Sequence, residues 1–492
     1  MAQEKTPGVY VNELDAFPSS VVEVPTAVPA FIGYTQKAAR RDQDLTGIPT
    51  RITSFADYQS LFGGPPRTMF RFSKTNGQYE IAAIENSRFL LYAGMRLFFN
   101  NGGSSCWMVS VGGYGDADNP TVKSPRDFND TWDELTAEPE ASMIVTPDAV
   151  LLDRSGHAEV ANGAIDHCTK MQSRIAILDI HDGFKARDFG DDDVISGTRG
   201  FRTLVNPGQS SFGVAYCPWL NTSIYGPSDV DFTRFDQDGR SALSDHLKAG
   251  LPEGADPDLV DLLEEMKGDT LDPARARHID KVLQSLAPYN EVMTGILTAL
   301  NVQPPSAAMA GVIARTDNER GAWNAPANTG IVSVVSPTVE ISAEEQQDLN
   351  VPLNGKAINA IRSFMGRGIL VWGARTMDGN SQDWRYVNVR RTMIMLEQSI
   401  RLATQAFVFE SNDARTWSIL RTMIANFLNN QWKAGALAGA SPQEAYQVSV
   451  GLGSTMTGQD ILDSYMRVTV KVAISRPAEF IVITFQQKMQ AS

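Results

Sequence analysis

The sequence predicts a mixed α/β fold, and three observations carry that prediction. Apolar runs of strand length recur at 30–34, 106–111, 142–146, 174–179, 213–217 and 331–335, with helical stretches such as 81–98 and 158–171 between several of them. Short apolar strands separated by helices suggest a layered fold around a largely parallel sheet. At the other end, residues 386–485 run from a helical pattern into two strands that finish close to the last residue. Residues 7–30 read as an extended arm, because Pro7, Pro18, Pro25 and Pro29 interrupt short apolar stretches and block both helix and ladder at those points.

Length and composition bound the class. A chain of 492 residues exceeds what one core serves, so two or three domains are expected. With 42% hydrophobic and 20% charged residues it is an ordinary globular protein. A net charge of −14 argues against a general nucleic-acid binder, which needs clustered Lys and Arg to neutralise phosphate. The three cysteines, Cys106, Cys168 and Cys217, lie far apart and suggest buried thiols, with neither a disulfide framework nor a zinc site. The first residues lack the pattern of a signal peptide and no window reaches the ~20 apolar residues that span a bilayer, so synthesis and folding in the cytoplasm are expected.

The elements follow in order. The arm holds Val9-Tyr10-Val11 and Ser20-Val21-Val22, apolar yet too short to bury themselves, so it needs a partner surface. The α/β alternation from residue 30 is interrupted at 229–291, where 15 Asp or Glu face 7 Lys or Arg. Acidic amphipathic stretches such as 258–266 fit a peripheral insertion there. From about 354 a third region begins. A helix over 392–409 is followed by Ser411-Asn412-Asp413, a good helix start, and a second helix to about Lys433. On it Trp417, Leu420, Ile424, Phe427 and Leu428 share one face, with Arg415, Thr422, Asn426, Asn429 and Lys433 opposite. Met466, Val468, Val470, Val472 and Ile474 then alternate with polar or small residues, the period of a half-buried strand. Phe480-Ile481-Val482-Ile483-Thr484-Phe485 closes the series, and such a terminal strand must be paired or it becomes a template for another chain.

Catalytic constellations are sparse. Asp236, Asp238, Gly239 and Asp245 resemble part of a calcium loop, but Arg234 stands at the first ligand position and the last lacks the bidentate Glu. Asp191-Asp192-Asp193 reads as a solvated turn. No G-x-S-x-G elbow, P-loop or G-x-G-x-x-G fingerprint occurs. His181-Asp182, just after a candidate strand, is where an α/β enzyme could place catalytic groups, so a cytoplasmic, hydrolase-like enzyme with a site there is the alternative reading.

Seven segments taken together resemble the tail sheath proteins of contractile phages and phage-tail-like injection systems: TPGVYVNE at 6–13, PAFIGY at 29–34, PSAAMAGVIARTDNERGAWNAPAN at 305–328, VWGART at 371–376, YVNVRR at 386–391, FVFESND at 407–413 and RPAEFIV at 476–482. The acidic stretch 229–291 is a departure, being longer than in compact sheaths. The resemblance implies a structural subunit without a cofactor, polymerising with itself as stacked hexameric rings around an inner tube protein. Its further partners would be baseplate and tail terminator or cap proteins and sheath paralogues, with no nucleic acid and no membrane insertion. The expected home is an assembled phage tail or injection particle. It implies an inner sheath domain of residues 1–29 with 354–492, and an outer α/β domain of 30–353 carrying the 229–291 insertion. Candidate linking residues between subunits are Val9, Tyr10, Val11, Val21, Val22, Phe480, Ile481, Val482, Ile483 and Phe485. Candidate contacts to the inner tube are Arg415 and Lys433.

Overall fold

Pro29–Thr35 is apolar along its length and every residue in it is buried, as a strand covered on both faces must be. It is β1, an interior strand of a nine-stranded sheet in a computed structural model that describes residues 20–75, 78–115, 121–268 and 271–480. The other strands are β2 (Thr50–Ile52), β3 (Cys106–Gly113), β4 (Met143–Val145), β5 (Ile175–Asp179), β6 (Gly213–Cys217), β7 (Thr329–Gly330), β8 (Asn359–Phe364) and β9 (Gly368–Val371), in the order β7-β9-β8-β6-β5-β4-β1-β3-β2. Six of them, β3, β1, β4, β5, β6 and β8, run parallel, while β2, β9 and β7 pair antiparallel at the two ends. The sheet is therefore mixed around a parallel centre.

The helices named below are α1 (Phe55–Phe62), α2 (Leu91–Asn100), α3 (Arg154–Met171), α4 (Gln237–Ala249), α5 (Pro257–Glu265), α6 (Pro273–Leu283), α7 (Ala287–Leu300), α8 (Ser306–Arg320), α9 (Val387–Thr404) and α10 (Ala414–Lys433). The chain forms two compact units, one of Met1–Val24 with Thr392–Ser492, the other Pro25–Arg391. The break expected near 354 thus falls at Arg391, because β8 and β9 hydrogen-bond into the large sheet, β8 directly beside β6.

From β1 the chain moves to β3 on one side, then to β4 on the other, so the strand order reverses at β1. Open α/β sheets bind ligands in the crevice at such a reversal, often at a helix N-terminus. Here the chain fills that place itself. The fully buried carboxylate of Asp148 accepts the amide of Tyr34 at 2.9 Å and the amides of Leu90 and Leu91, where α2 begins. Burial pushes the Asp148 carboxyl up, and the three amides pull it back. A Cβ at Gly33 would lie 2.6 Å from Asp148 Oδ2, so the strand must be glycine there. Asp179, at the end of β5, treats α8 likewise, accepting the Ser306 amide at 2.8 Å and the Ser306 hydroxyl. Burial drives the Asp179 carboxyl up to about 7 against those hydrogen bonds.

The two helices so capped pack closely. A Cβ on Gly311 would meet the Phe98 carbonyl oxygen at 2.5 Å, so the small residues of the 305–328 segment are needed for α8 to lie against α2. Near the other end of α8, the buried Asp317 carboxylate accepts Thr26 Oγ1 at 2.6 Å and Arg391 Nη1 at 2.7 Å, while Arg391 Nη2 donates to the Thr26 carbonyl at 2.9 Å. Both ends of the larger unit, at Thr26 and Arg391, are thereby tied to one helix.

The acidic stretch forms α4, α5 and α6, opened by Asp236, Asp256 and Asp272, whose carboxylates accept first-turn amides. Asp236 is accordingly a helix cap and not a calcium ligand. Leu243, Leu247, Leu262, Leu263, Met266, Ile279 and Leu283 are buried there. The helix expected over 81–98 starts late: Gln78–Ala83 pairs antiparallel with Phe70–Thr75, a short 3-10 turn follows at Glu85–Ser87, and α-helix begins only at Leu91. The turn at Asp191-Asp192-Asp193 is not wholly solvated, because Asp193 is buried against Arg187 at 2.8 Å. All three cysteines are buried, and burial pushes the Cys168 and Cys217 thiols up to about 12.

Asp148→Ala leaves three buried amides without an acceptor, so it should lower stability by about 2–4 kcal/mol. Urea unfolding monitored by tryptophan fluorescence measures this, and a loss below the ~0.5 kcal/mol typical of surface substitutions contradicts the capping role.

Candidate assembly interface

In the smaller unit, α9 and α10 form the core. Asp413 opens α10 by accepting the amides of Arg415 and Thr416, both at 3.0 Å. Leu420, Ile424, Phe427 and Leu428 recur at helical spacing and are buried with Met395, Leu396, Ala403 and Phe407 of the preceding segment. Against this core lies an antiparallel pair, β10 (Tyr446–Val450) and β11 (Val468–Val472), with Val448 opposite Val470 and Val450 opposite Val468. Val468, Val470 and Val472 turn toward the core while Thr469 and Lys471 are exposed, the alternation seen in the sequence. The partner strand β10 was not anticipated, although Tyr446, Val448 and Val450 alternate with Gln447 and Ser449 and carry the same signal.

This sheet has two strands, and among the described residues no third strand pairs with either edge. A two-stranded ladder is marginal alone, and its outer amides and carbonyls offer a template to a further strand. Its apolar cover is also incomplete. A groove of about 1030 Å³ runs between Leu396, Ile400 and Phe407 on one side and Met466, Val468, Val470 and Val472 on the other. Phe409 lines it, fully exposed, with a φ of 73°. An exposed phenylalanine in left-handed backbone has neither burial nor conformational ease to hold it there, and such strain clusters at functional sites. Only the geometry discloses it; the sequence signals a helix start a few residues on and no more.

The candidate residues divide. Val21, expected to link subunits, is buried in its own core, whereas Val22 points outward at 72% exposure. Val24 donates its amide to Ser399 Oγ at 3.0 Å, and Glu23 accepts from Gln431 at 2.9 Å, so this end of the arm is anchored within its own unit. Phe480 is exposed. Val9, Tyr10, Val11, Ile481, Val482, Ile483 and Phe485 lie outside the described residues. Arg415 and Lys433 are both exposed and 18 residues apart on α10. That spacing is about five turns, which puts them on one face roughly 27 Å apart.

His181 and Asp182, the alternative catalytic pair, lie in the larger unit. His181 Nε2 is 2.8 Å from the Leu152 carbonyl oxygen, and Asp182 is paired with Lys185 at 2.8 Å and Arg154 at 3.6 Å. Burial lowers the His181 pKa. These contacts tie the turn after β5 to the start of α3. Among the described residues no group of three or more His, Cys, Asp or Glu could hold a metal ion, and no helix is long and apolar enough to cross a membrane.

The larger unit thus caps its helix termini from within, and in the smaller one the described residues leave a two-stranded ladder without a third strand. Comparison with known proteins finds similarity to tail sheaths. The phage tail sheath central domain model matches residues 280–377 and the phage tail sheath C-terminal domain model matches 380–488. The tail sheath protein of Enterobacteria phage T4 is 27% identical over 183 residues, 37% of this chain but only 26% of that protein's length. Over the full chain, the contracted helical sheath of the anti-feeding prophage is similar at 27% identity and a TM-score of 0.62, covering 99% of this chain and 100% of the other. A chain of the 6-fold symmetrised baseplate structure of the same particle gives 27% and 0.60 over 99% and 100%. The chain thus carries two phage tail sheath domain matches and is similar to a contractile sheath subunit along its whole length.

Phe409→Asn keeps the turn with a residue that tolerates positive φ and sacrifices no buried contact. It should raise the stability of the isolated subunit by about 0.5–1 kcal/mol. A fall in its thermal midpoint would show that the phenylalanine is held by packing inside its own subunit.

Proposed function

We propose that this chain is the structural subunit of a contractile sheath. It polymerises as stacked hexameric rings around an inner tube, is stored in a long metastable lattice, and shortens to drive the tube through a target envelope. The observation that carries the reading is the two-stranded sheet with open edges over an incompletely covered apolar groove. Full-length similarity to a helical sheath supports it.

A strand supplied by another copy would satisfy the edge amides and cover the groove in one step, the mode of β-strand addition. The apolar terminal segments, 1–19 and the run from Phe480 to Phe485, have the length and composition for it. Backbone pairing fixes the lattice, while the linking segments let subunits turn. Contraction then draws on the difference in pairing and burial between two lattices, so neither nucleotide nor catalytic residue is required. The smaller unit is the part facing the tube, and the baseplate is the partner that holds or releases the lattice. The exposed cations of α10 grip the tube: surface charges give registry and release more readily than apolar contact.

Removing residues 1–20 or 479–492 should give soluble, folded subunits that no longer form tubes in negative-stain micrographs. Normal tubes from either truncation refute strand exchange by that terminus. Arg415→Glu with Lys433→Glu should form sheath-only polymers normally but sediment with tube protein more weakly and with a smaller salt dependence. Unchanged co-sedimentation would remove α10 from the tube contact.

A further inference from the structure

Arg96 is the one cation in a helix otherwise buried almost all round. Leu91, Tyr92, Ala93, Gly94, Met95, Leu97 and Phe98 of α2 are in the core, and Arg96 is half-buried beside them. Its guanidinium makes no hydrogen bond, ion pair or ring stack among the described residues, although it carries five donors. It lines a cleft of about 440 Å³ between α1 and α2, with Phe55, Gln59, Tyr92, Phe99 and Asn100. Phe55 meets Tyr92 and Phe99 edge-on at 5.4 and 6.2 Å, so the aromatic wall is rigid. Gln59 is held by Tyr92 Oη at 3.3 Å and Asn100 by Ser333 Oγ at 2.9 Å. Withdrawing a guanidinium from water without a partner is costly. This cleft is therefore shaped for a carboxylate on an apolar stem.

The chain itself presents such groups. In the acidic stretch most carboxylates are occupied: Asp236, Asp256 and Asp272 cap helices, Asp245 and Glu264 pair with Lys267, Glu264 also with Lys248, and Glu265 with Arg275. Asp258 and Asp261, exposed and three residues apart on α5, have side chains with no hydrogen bond or ion pair among the described residues, and neither reaches Arg96 of its own subunit. We propose that the Arg96 cleft receives the Asp258/Asp261 face of α5 from a second copy of this chain, a charge-matched lattice contact separate from strand exchange. This rests on the self-assembly reading given above. It assigns the acidic insertion a task, and a guanidinium flanked by aromatic edges is suited to it because it binds carboxylates in a planar, bidentate way.

The test uses the full chain. Arg96→Glu, or Asp258→Arg with Asp261→Arg, should each raise the protein concentration at which polymer sediments by about tenfold, and combining all three should bring it back toward the wild-type value. A wild-type threshold in Arg96→Glu, or no recovery in the combined variant, overturns the contact. Circular dichroism checks folding, with Arg96→Gln replacing a misfolded Arg96→Glu and expected to shift the threshold in the same direction. Gln59→Cys with Asp261→Cys supplies a second readout, since the native thiols are buried. Oxidation should yield disulfide-linked subunits whether the species are short or long. Polymers without that cross-link overturn the contact alone, whereas a wild-type chain that stays monomeric at every concentration overturns the sheath reading.

Discussion

The carboxylate of Asp148 decides what the larger unit can be. Placed where the strand order reverses, it is the group onto which the end of β1 and the beginning of α2 close, and Gly33 is bare because that oxygen occupies the space of its side chain. In a nucleotide-binding sheet with such a strand reversal, a phosphate takes the corresponding helix-terminal amides. Asp179 does the equivalent for α8, so both helix termini are neutralised from within the chain. The fold keeps the architecture of a ligand-binding sheet and spends its binding positions on holding itself together. Strand β1, helix α2 and, through Gly311, helix α8 are all positioned by this arrangement.

Much of that sheet was legible in the sequence, for a physical reason. Strands buried on both faces are continuous apolar runs, and those at 30–34, 106–111, 174–179 and 213–217 correspond to β1, β3, β5 and β6. The alternation at 466–474 likewise disclosed the inward face of β11. What escaped was decided by partners distant in the chain. Residues 81–98 carry apolar residues compatible with helix throughout, yet Gln78–Ala83 is drawn into a ladder by Phe70–Thr75. Residues 354–391 were assigned with the C-terminal helices, but β8 finds its neighbour 143 residues earlier, where Tyr216 registers with Asn359. Of the candidate interface, the polar face of α10 was readable from its periodicity. The burial of Val21, the exposure of Phe409 and the unpaired Arg96 depend on tertiary placement and have no local signature.

The two units manage polar groups in opposite ways. In the larger, buried donors find acceptors from far along the chain: Asp317 satisfies Thr26 and Arg391 together, and Asn359 donates to the carbonyls of Ala215 and Arg375. In the smaller, the described residues form a ladder of only two strands, β10 and β11, and the valine face of β11 opens onto a groove. A closed scaffold gives a subunit its shape before assembly, and an open edge makes the final structure depend on concentration. That division suits a particle whose parts must fold singly and then lock together.

The acidic helices have a consequence at the scale of the particle. Residues 229–291 supply −8 of a net charge of −14, and every copy in a polymer repeats it. In the proposed sheath each filament would be a polyanion wrapped in counter-ions, repelling its neighbours until salt shortens the Debye length, about 8 Å at physiological ionic strength. Colloidal stability is thus written into the same carboxylates that open the helices.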